Sequence, residues 1–200
     1  MTTTATQICN KAMRKIRHNQ SLSDNWYTTQ TTLEDETCFA FYDDVRQTVL
    51  RMADWACSIK RITLDADSGI ENLTGKAYAF DLPKDYLRRV DVEDGNGKKI
   101  PFMIEGSFGY TDATDSVVLV YVYDDKNPAH WDRMLVEAMV LQLASEIAYP
   151  LAGDVEKVNQ LAASAMQIAE ETIDQTRREH RTGTPSYREW SPGLFENRRS

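Results

Sequence analysis

The run Val117–Tyr123, VVLVYVY, limits what this chain can fold into more than any other stretch. It is β-branched and aromatic, carries no charge, and is apolar at odd and even positions alike. Such a run reads as a strand, and as a central one rather than an edge. The residues before it supply its partners. Ile59–Leu64 sets Ile59, Arg61 and Thr63 against Lys60, Ile62 and Leu64, the alternation of a strand. Ala77–Leu82 can be a strand, stopped by Pro83, with Asp85 and Tyr86 in a turn. Leu87–Glu93 reads as another. Asp94-Gly95-Asn96-Gly97 is a strong hairpin signal leading into Lys98–Ile104, after which Gly106 and Gly109 break the pattern.

Helical periods flank this β region. Ile8, Ala12 and Ile16 recur at helical spacing over residues 6–17, with Lys11, Arg14, Lys15 and Arg17 on other faces. Thr32 and Asp35 resemble a capping box, and a long helix is expected from there to about Ala56. Its stripe is Phe41, Val45, Val49, Met52 and Trp55 or Ala56. Beyond the strands, Trp131–Tyr149 is apolar on most sides and is expected to end at Pro150 as a central helix. Asp154 caps a last helix to about Arg178. Residues 183–200 contain prolines, aromatics and arginines without a period and cannot form a core of their own. The order predicts an α+β fold: a four-helix bundle from 1–58 and 126–182, an inserted antiparallel β domain of four to five strands over 59–125, and an extended C-terminal tail.

Charge narrows the function. The 200 residues carry a formal net charge of -8, which argues against a free-standing DNA-binding module. The charge is uneven. Residues 65–125 hold 6 basic against 13 acidic side chains, whereas 177–200 hold 6 basic against 3 acidic. Residues 1–20 contain no continuous apolar stretch of the signal-peptide kind. No window is expected to span a membrane, since Trp131–Tyr149 includes Asp132, Arg133, Glu137 and Glu146. Cys9, Cys38 and Cys57 lack metal-ligand spacing and suit synthesis in a reducing cytoplasm.

Candidates for chemistry are sparse. His18, His130 and His180 have no second ligand at metal spacing, and there is neither a phosphate loop nor a nucleophile elbow. Paired acids recur at Asp43-Asp44, Asp65 with Asp67, Asp124-Asp125 and Glu170-Glu171. A hydrolase needs two carboxylates facing each other across a cleft, and the spacing shows none. The expectation is no enzyme, no cofactor and no metal. A virion-associated cell-wall or polysaccharide hydrolase using paired carboxylates is the alternative.

Four stretches taken in order carry a resemblance: NKAMRKI at Asn10–Ile16, YDDVRQTVLRMADWACSIKRITL at Tyr42–Leu64, AYAFDLPKDYLRRVDV at Ala77–Val92 and PAHWDRMLVEAMVLQLASEIAYPLAGD at Pro128–Asp154. Together they resemble the tail tubular protein A family of short-tailed phages, the head-tail connector between portal and tail nozzle. The chain departs from the family at Arg17-His18, where a glycine often ends the first helix. The resemblance implies a structural protein of the virion tail or neck, made in the host cytoplasm. It implies a homo-oligomer, a dodecameric ring, contacting the portal protein on one side and the nozzle, tail tubular protein B, on the other. Double-stranded DNA would pass through the lumen during ejection without sequence-specific binding, and no membrane is involved.

Within that frame the residues suggest three surfaces. Tyr187, Arg188, Trp190, Phe195, Arg198 and Arg199 are of types that dominate interfaces and form a candidate portal-docking tail. Asp44, Arg46 and Arg51 fall outside the apolar stripe of their helix and are candidate inter-subunit contacts. Asp91, Glu93 and Asp94 are candidate channel-facing acids, since a negative lumen lets DNA slide where Lys or Arg would hold it.

Overall fold

A computed structural model describes residues 3–181, with side chains described as far as Gln175; the candidate docking residues from Tyr187 onward lie outside this range. The fold is mixed α+β, with four α-helices and two three-stranded antiparallel sheets. Helices α1 (Ala5–Lys15) and α2 (Leu33–Met52) come first. Strands β1 (Ile59–Asp65), β2 (Tyr78–Asp81), β3 (Tyr86–Glu93), β4 (Met103–Glu105), β5 (Phe108–Thr111) and β6 (Ser116–Tyr123) follow. Helices α3 (Arg133–Ala152) and α4 (Val155–Arg181) close the order.

α1 opens on a capping box, Thr4 with Gln7, and presents Ile8, Cys9, Ala12 and Met13 to the core. It ends two residues before the expected Arg17. Arg17 NH bonds to the Arg14 carbonyl and His18 NH to the Met13 carbonyl, a Schellman motif. Arg17 occupies the left-handed position at φ 62°. This is the site where the resembling family often has glycine: the backbone keeps the glycine conformation although the side chain is arginine.

α2 starts at Thr32 as expected, with the Thr32 hydroxyl accepting from Asp35 NH at 3.2 Å. It stops at Met52, four residues short of the expected end. Ala53 is extended, and the fully buried Trp55 turns back so that its indole NH donates to the Val49 carbonyl at 2.8 Å. That carbonyl belongs to the last turn and has no intrahelical donor. Trp55 therefore terminates the helix, although its spacing prolongs the helical period.

The sheets hold six strands rather than four or five. One has the order β1-β6-β3, so VVLVYVY is central as its composition demands. The other has the order β2-β5-β4. The expected strand Lys98–Ile104 is mostly irregular, with a single bridge at Lys99. Gly97 closes the hairpin at φ 78°, Glu93 bridges Lys99, and regular pairing resumes only at Met103. The two glycines that break the pattern instead build the β4–β5 hairpin. Gly106 turns at φ 60°, and Gly109 lies in β5 under the Phe102 ring, where an added Cβ would stand 2.1 Å from the ring.

Two apolar clusters result. Phe80, Leu82, Val92, Phe102, Val117, Leu119 and Tyr121 fill the space between the sheets. The larger cluster draws on all four helices and takes Leu87 and Val122 from the opposite face of the β6 sheet. α3 is its centre and packs against α1, α2 and α4. Eleven of its 20 residues are buried, which accounts for apolarity on every side. By length and composition α3 is apolar enough to cross a membrane, because Asp132 lies outside it as N-cap; 61% of that apolar window is buried inside the protein. Pro150 does not end α3. It sits in the last turn, where the bond it forfeits is to the exposed Glu146, and Gly153 ends the helix at φ 65°.

Candidate functional site

A concavity of about 1040 Å³ lies where the end of α2 faces the β1-β6-β3 sheet, with Ile173 of α4 at its wall. Its apolar lining includes Met52, Ile59, Val90 and Val120. Around that lining stand Arg51, Arg61, Arg88 and Lys99, with Asp54, Asp91 and Glu93 among them.

Two irregularities in β3 assemble this set. Strict alternation would place residues 89, 91 and 93 on one face. The register slips between Tyr86 and Arg88 and again between Arg89 and Asp91. Arg88, Asp91 and Glu93 consequently pair with Val122, Val120 and Val118, whose alternate positions on β6 share the face turned toward the helices. Arg61 pairs with Val120 from the other side. β-Bulges re-aim side chains in this way at the cost of a local break in the ladder.

The charges of the cleft are then matched. Glu93 pairs with Arg61 at 2.8 Å, Arg88 with Asp54, and Asp91 with Lys99, and the Asp91 contact raises the Lys99 pKa. Arg51 donates to the Leu87 carbonyl. Asp94, at the hairpin tip, accepts from the backbone NH groups of Lys98 and Asn96, and these bonds hold its carboxyl below its ordinary value. Of the three candidate channel acids, two are thus bound to cations in the cleft, while Asp94 is half-buried and serves its own turn. The cleft presents salt-bridged carboxylates over an apolar floor, not a carboxyl isolated in an apolar pocket. Among the described residues, no group of three or more His, Cys, Asp or Glu is arranged to hold a metal ion.

The candidate inter-subunit residues separate. Asp44 and Arg51 are exposed on α2. Arg46, expected on an outward face, is 3% exposed. Its Nε donates to Asp124 Oδ1 at 2.8 Å and a terminal nitrogen to Asp124 Oδ2 at 3.2 Å, and it also pairs with Asp43. Burial works against its charge, but the two carboxylates outweigh this and raise its pKa. Arg46 therefore fastens α2 to the residue that follows β6. Nothing in the local pattern points to this pair, whose members lie 78 positions apart.

Two further features were not foreseen. Tyr27 and Phe39, 45% and 47% exposed, meet edge to face at 5.7 Å, and Tyr27 donates to Asp43 at 2.8 Å. Asp35, read only as part of a cap, is fully buried and accepts from the backbone NH and hydroxyl of both Ser23 and Thr31. Three hydroxylic or acidic residues clustered around a loop–helix junction were the available signal. The thiols are not poised for reaction: burial raises the pKa of Cys9 and of Cys57.

No protein-family model matches the chain. No curated protein matches it either.

Proposed function

We propose that the protein is a structural subunit of a short-tailed phage virion, assembling as a ring between the portal and the tail nozzle and forming part of the channel for DNA ejection. The observation that carries this reading is the order of elements. Two helices, a β insertion and two further helices are organised around α3, and a buried ion pair, Arg46–Asp124, fastens the insertion to α2. This order supports the helical bundle with an inserted β domain that the resemblance leads one to expect. The charged cleft supports it as well. Its carboxylates are committed to ion pairs, as suits a fixed joint between layers, and it joins the insertion to the helices on the side opposite the sheet-to-sheet core. Of the lumenal acids, Asp94 at the exposed hairpin tip is the best placed to meet passing DNA. The tail after Gly183 is the portal-docking segment in this reading.

The test is electron microscopy of the purified protein mixed with its portal. Portal rings with an added collar are expected. Deletion of residues 184–200 should abolish the collar while leaving the circular dichroism spectrum of the subunit unchanged. Portal rings that stay bare with the full-length protein would defeat the adaptor reading.

A further inference from the structure

α1 and α2 carry opposite charges that the fold leaves unused. α1 contains no acid, and Lys11, Arg14 and Arg17 are exposed. On α2 the exposed column Glu36, Ala40, Asp44 repeats every four residues and so lies along one face. Among the described residues, Lys11, Arg14, Arg17, Glu36 and Asp44 form no side-chain hydrogen bond or ion pair, whereas neighbouring charges do: Lys15 with Glu137, His18 with Glu34, Arg46 with Asp43. Lys11 and Arg14 are three residues apart and so lie together on one face of α1. Ala40 leaves a notch between the two acids. Beside the column stand the exposed rings of Phe39 and Tyr27, surfaces on which the stems and cationic heads of Lys and Arg pack well.

We propose that this face of α2 receives α1 of a second copy of the chain, with Lys11 and Arg14 against Glu36 and Asp44 and their stems across Phe39 and Tyr27. The contact is heterologous: a basic face on each copy meets an acidic, aromatic face on the next, so every copy offers one free surface of each kind and the contact repeats around a ring. A two-fold dimer, by contrast, would occupy both faces of each copy with a single partner and leave none free to continue a ring. The inference rests on the ring reading and names the surfaces through which the ring is built.

The experiment mixes isotopically labelled and unlabelled full-length protein, treats it with a carbodiimide that joins amines to carboxylates in contact, and maps the links by mass spectrometry. Mixed-label peptides joining Lys11 to Glu36 or Asp44 are expected. Reversing either face, by Lys11→Glu with Arg14→Glu or by Glu36→Lys with Asp44→Lys, should cut mixed-label linkage and concentration-dependent association by at least about tenfold, since like charges then oppose each other. All four positions are exposed, so circular dichroism should be unchanged. Mixing the two reversed proteins should restore association, and the fully reversed chain should associate with itself. The same variants are then offered to the portal. Linkage at other sites, including to the C-terminal tail, or association indifferent to both reversals, overturns the proposed contact. If wild-type collars still form in that case, the ring reading survives its loss. If the contact is found but portal rings stay bare, self-association holds and the adaptor reading fails.

Discussion

Replacing Arg46 by Met keeps the aliphatic stem and removes the guanidinium. Three charge-assisted hydrogen bonds disappear, two to Asp124 and one to Asp43. The two carboxylates respond differently. The Asp43 side chain is half exposed, so it returns to water, keeps its bond from Tyr27, and costs less than about 1 kcal/mol. The Asp124 side chain is 10% exposed and retains only Gln47 Nε2 at 3.5 Å, so it is left charged and nearly unpaired. Breaking a buried pair from one side costs about 3–5 kcal/mol, and the partial exposure of Asp124 sets Arg46→Met at the lower end, about 3 kcal/mol. Asp124→Asn, which removes the opposite charge but leaves Asp43 as counter-ion, should cost about 2 kcal/mol. In Arg46→Met/Asp124→Asn neither buried charge is stranded, so the double variant should be about 2 kcal/mol more stable than the sum of the single effects predicts. Urea denaturation at pH 7, followed by far-UV circular dichroism, measures all four species. Single effects below about 1 kcal/mol that simply add would show that the pair is a bystander and that apolar contacts alone hold the insertion to α2.

Gly109→Ala should cost at least about 1–3 kcal/mol, because a Cβ there displaces the Phe102 ring from the inter-sheet core; thermal melts check it, and Phe102→Leu in the same chain should recover part of the loss. Arg17→Gly should stabilise by roughly 0.5 kcal/mol, since relief of the left-handed backbone outweighs the entropy of glycine, and Arg17→Val should destabilise; equal melting temperatures for both variants would refute the motif. Asp35 gives an acid-dependent term. Burial raises its pKa, but the bonds from Ser23 and Thr31 outweigh this and the folded value lies below the unfolded one. Its stabilisation is complete above the unfolded value, about pH 4, and is lost as pH falls through the folded value. Denaturation of wild type and Asp35→Asn should therefore differ most at neutral pH and converge as pH falls through the folded value; a constant gap would contradict it.

What was legible in the sequence was what composition alone decides. VVLVYVY had to be central because no edge tolerates two apolar faces, and α3 had to be enclosed because it has no polar side. Errors arose where one residue acts against the pattern it belongs to. Trp55 continues the period of α2 and yet ends the helix with its indole NH. Gly106 and Gly109 look like breaks, and are the turn and the close-packed centre of a hairpin. Pro150 looks like a stop, but it occupies the last turn, where it forfeits only one bond, to the exposed residue Glu146. The cleft was hidden for a related reason. The slips in β3 cannot be read from its alternation, so Asp91 and Glu93 could be singled out as acids but not assigned to Lys99 and Arg61. Arg46 was misplaced because a charge on a helix defaults to the surface until its distant partner is known.

The central position of α3 has a consequence for how the chain is made. α1 and α2 are finished by Met52, but the helix on which both pack begins at Arg133, with α4 later still. At roughly 5–20 residues per second of synthesis, about 4–16 s pass while the ribosome supplies the β insertion between them. During that interval the faces of α1 and α2 that meet α3 are without it. The nascent chain is thus exposed to capture, by chaperones or by other nascent chains, for a time set by the length of the insertion. Shortening the segment 67–77, which forms no strand and contributes to neither apolar cluster, would shorten that interval.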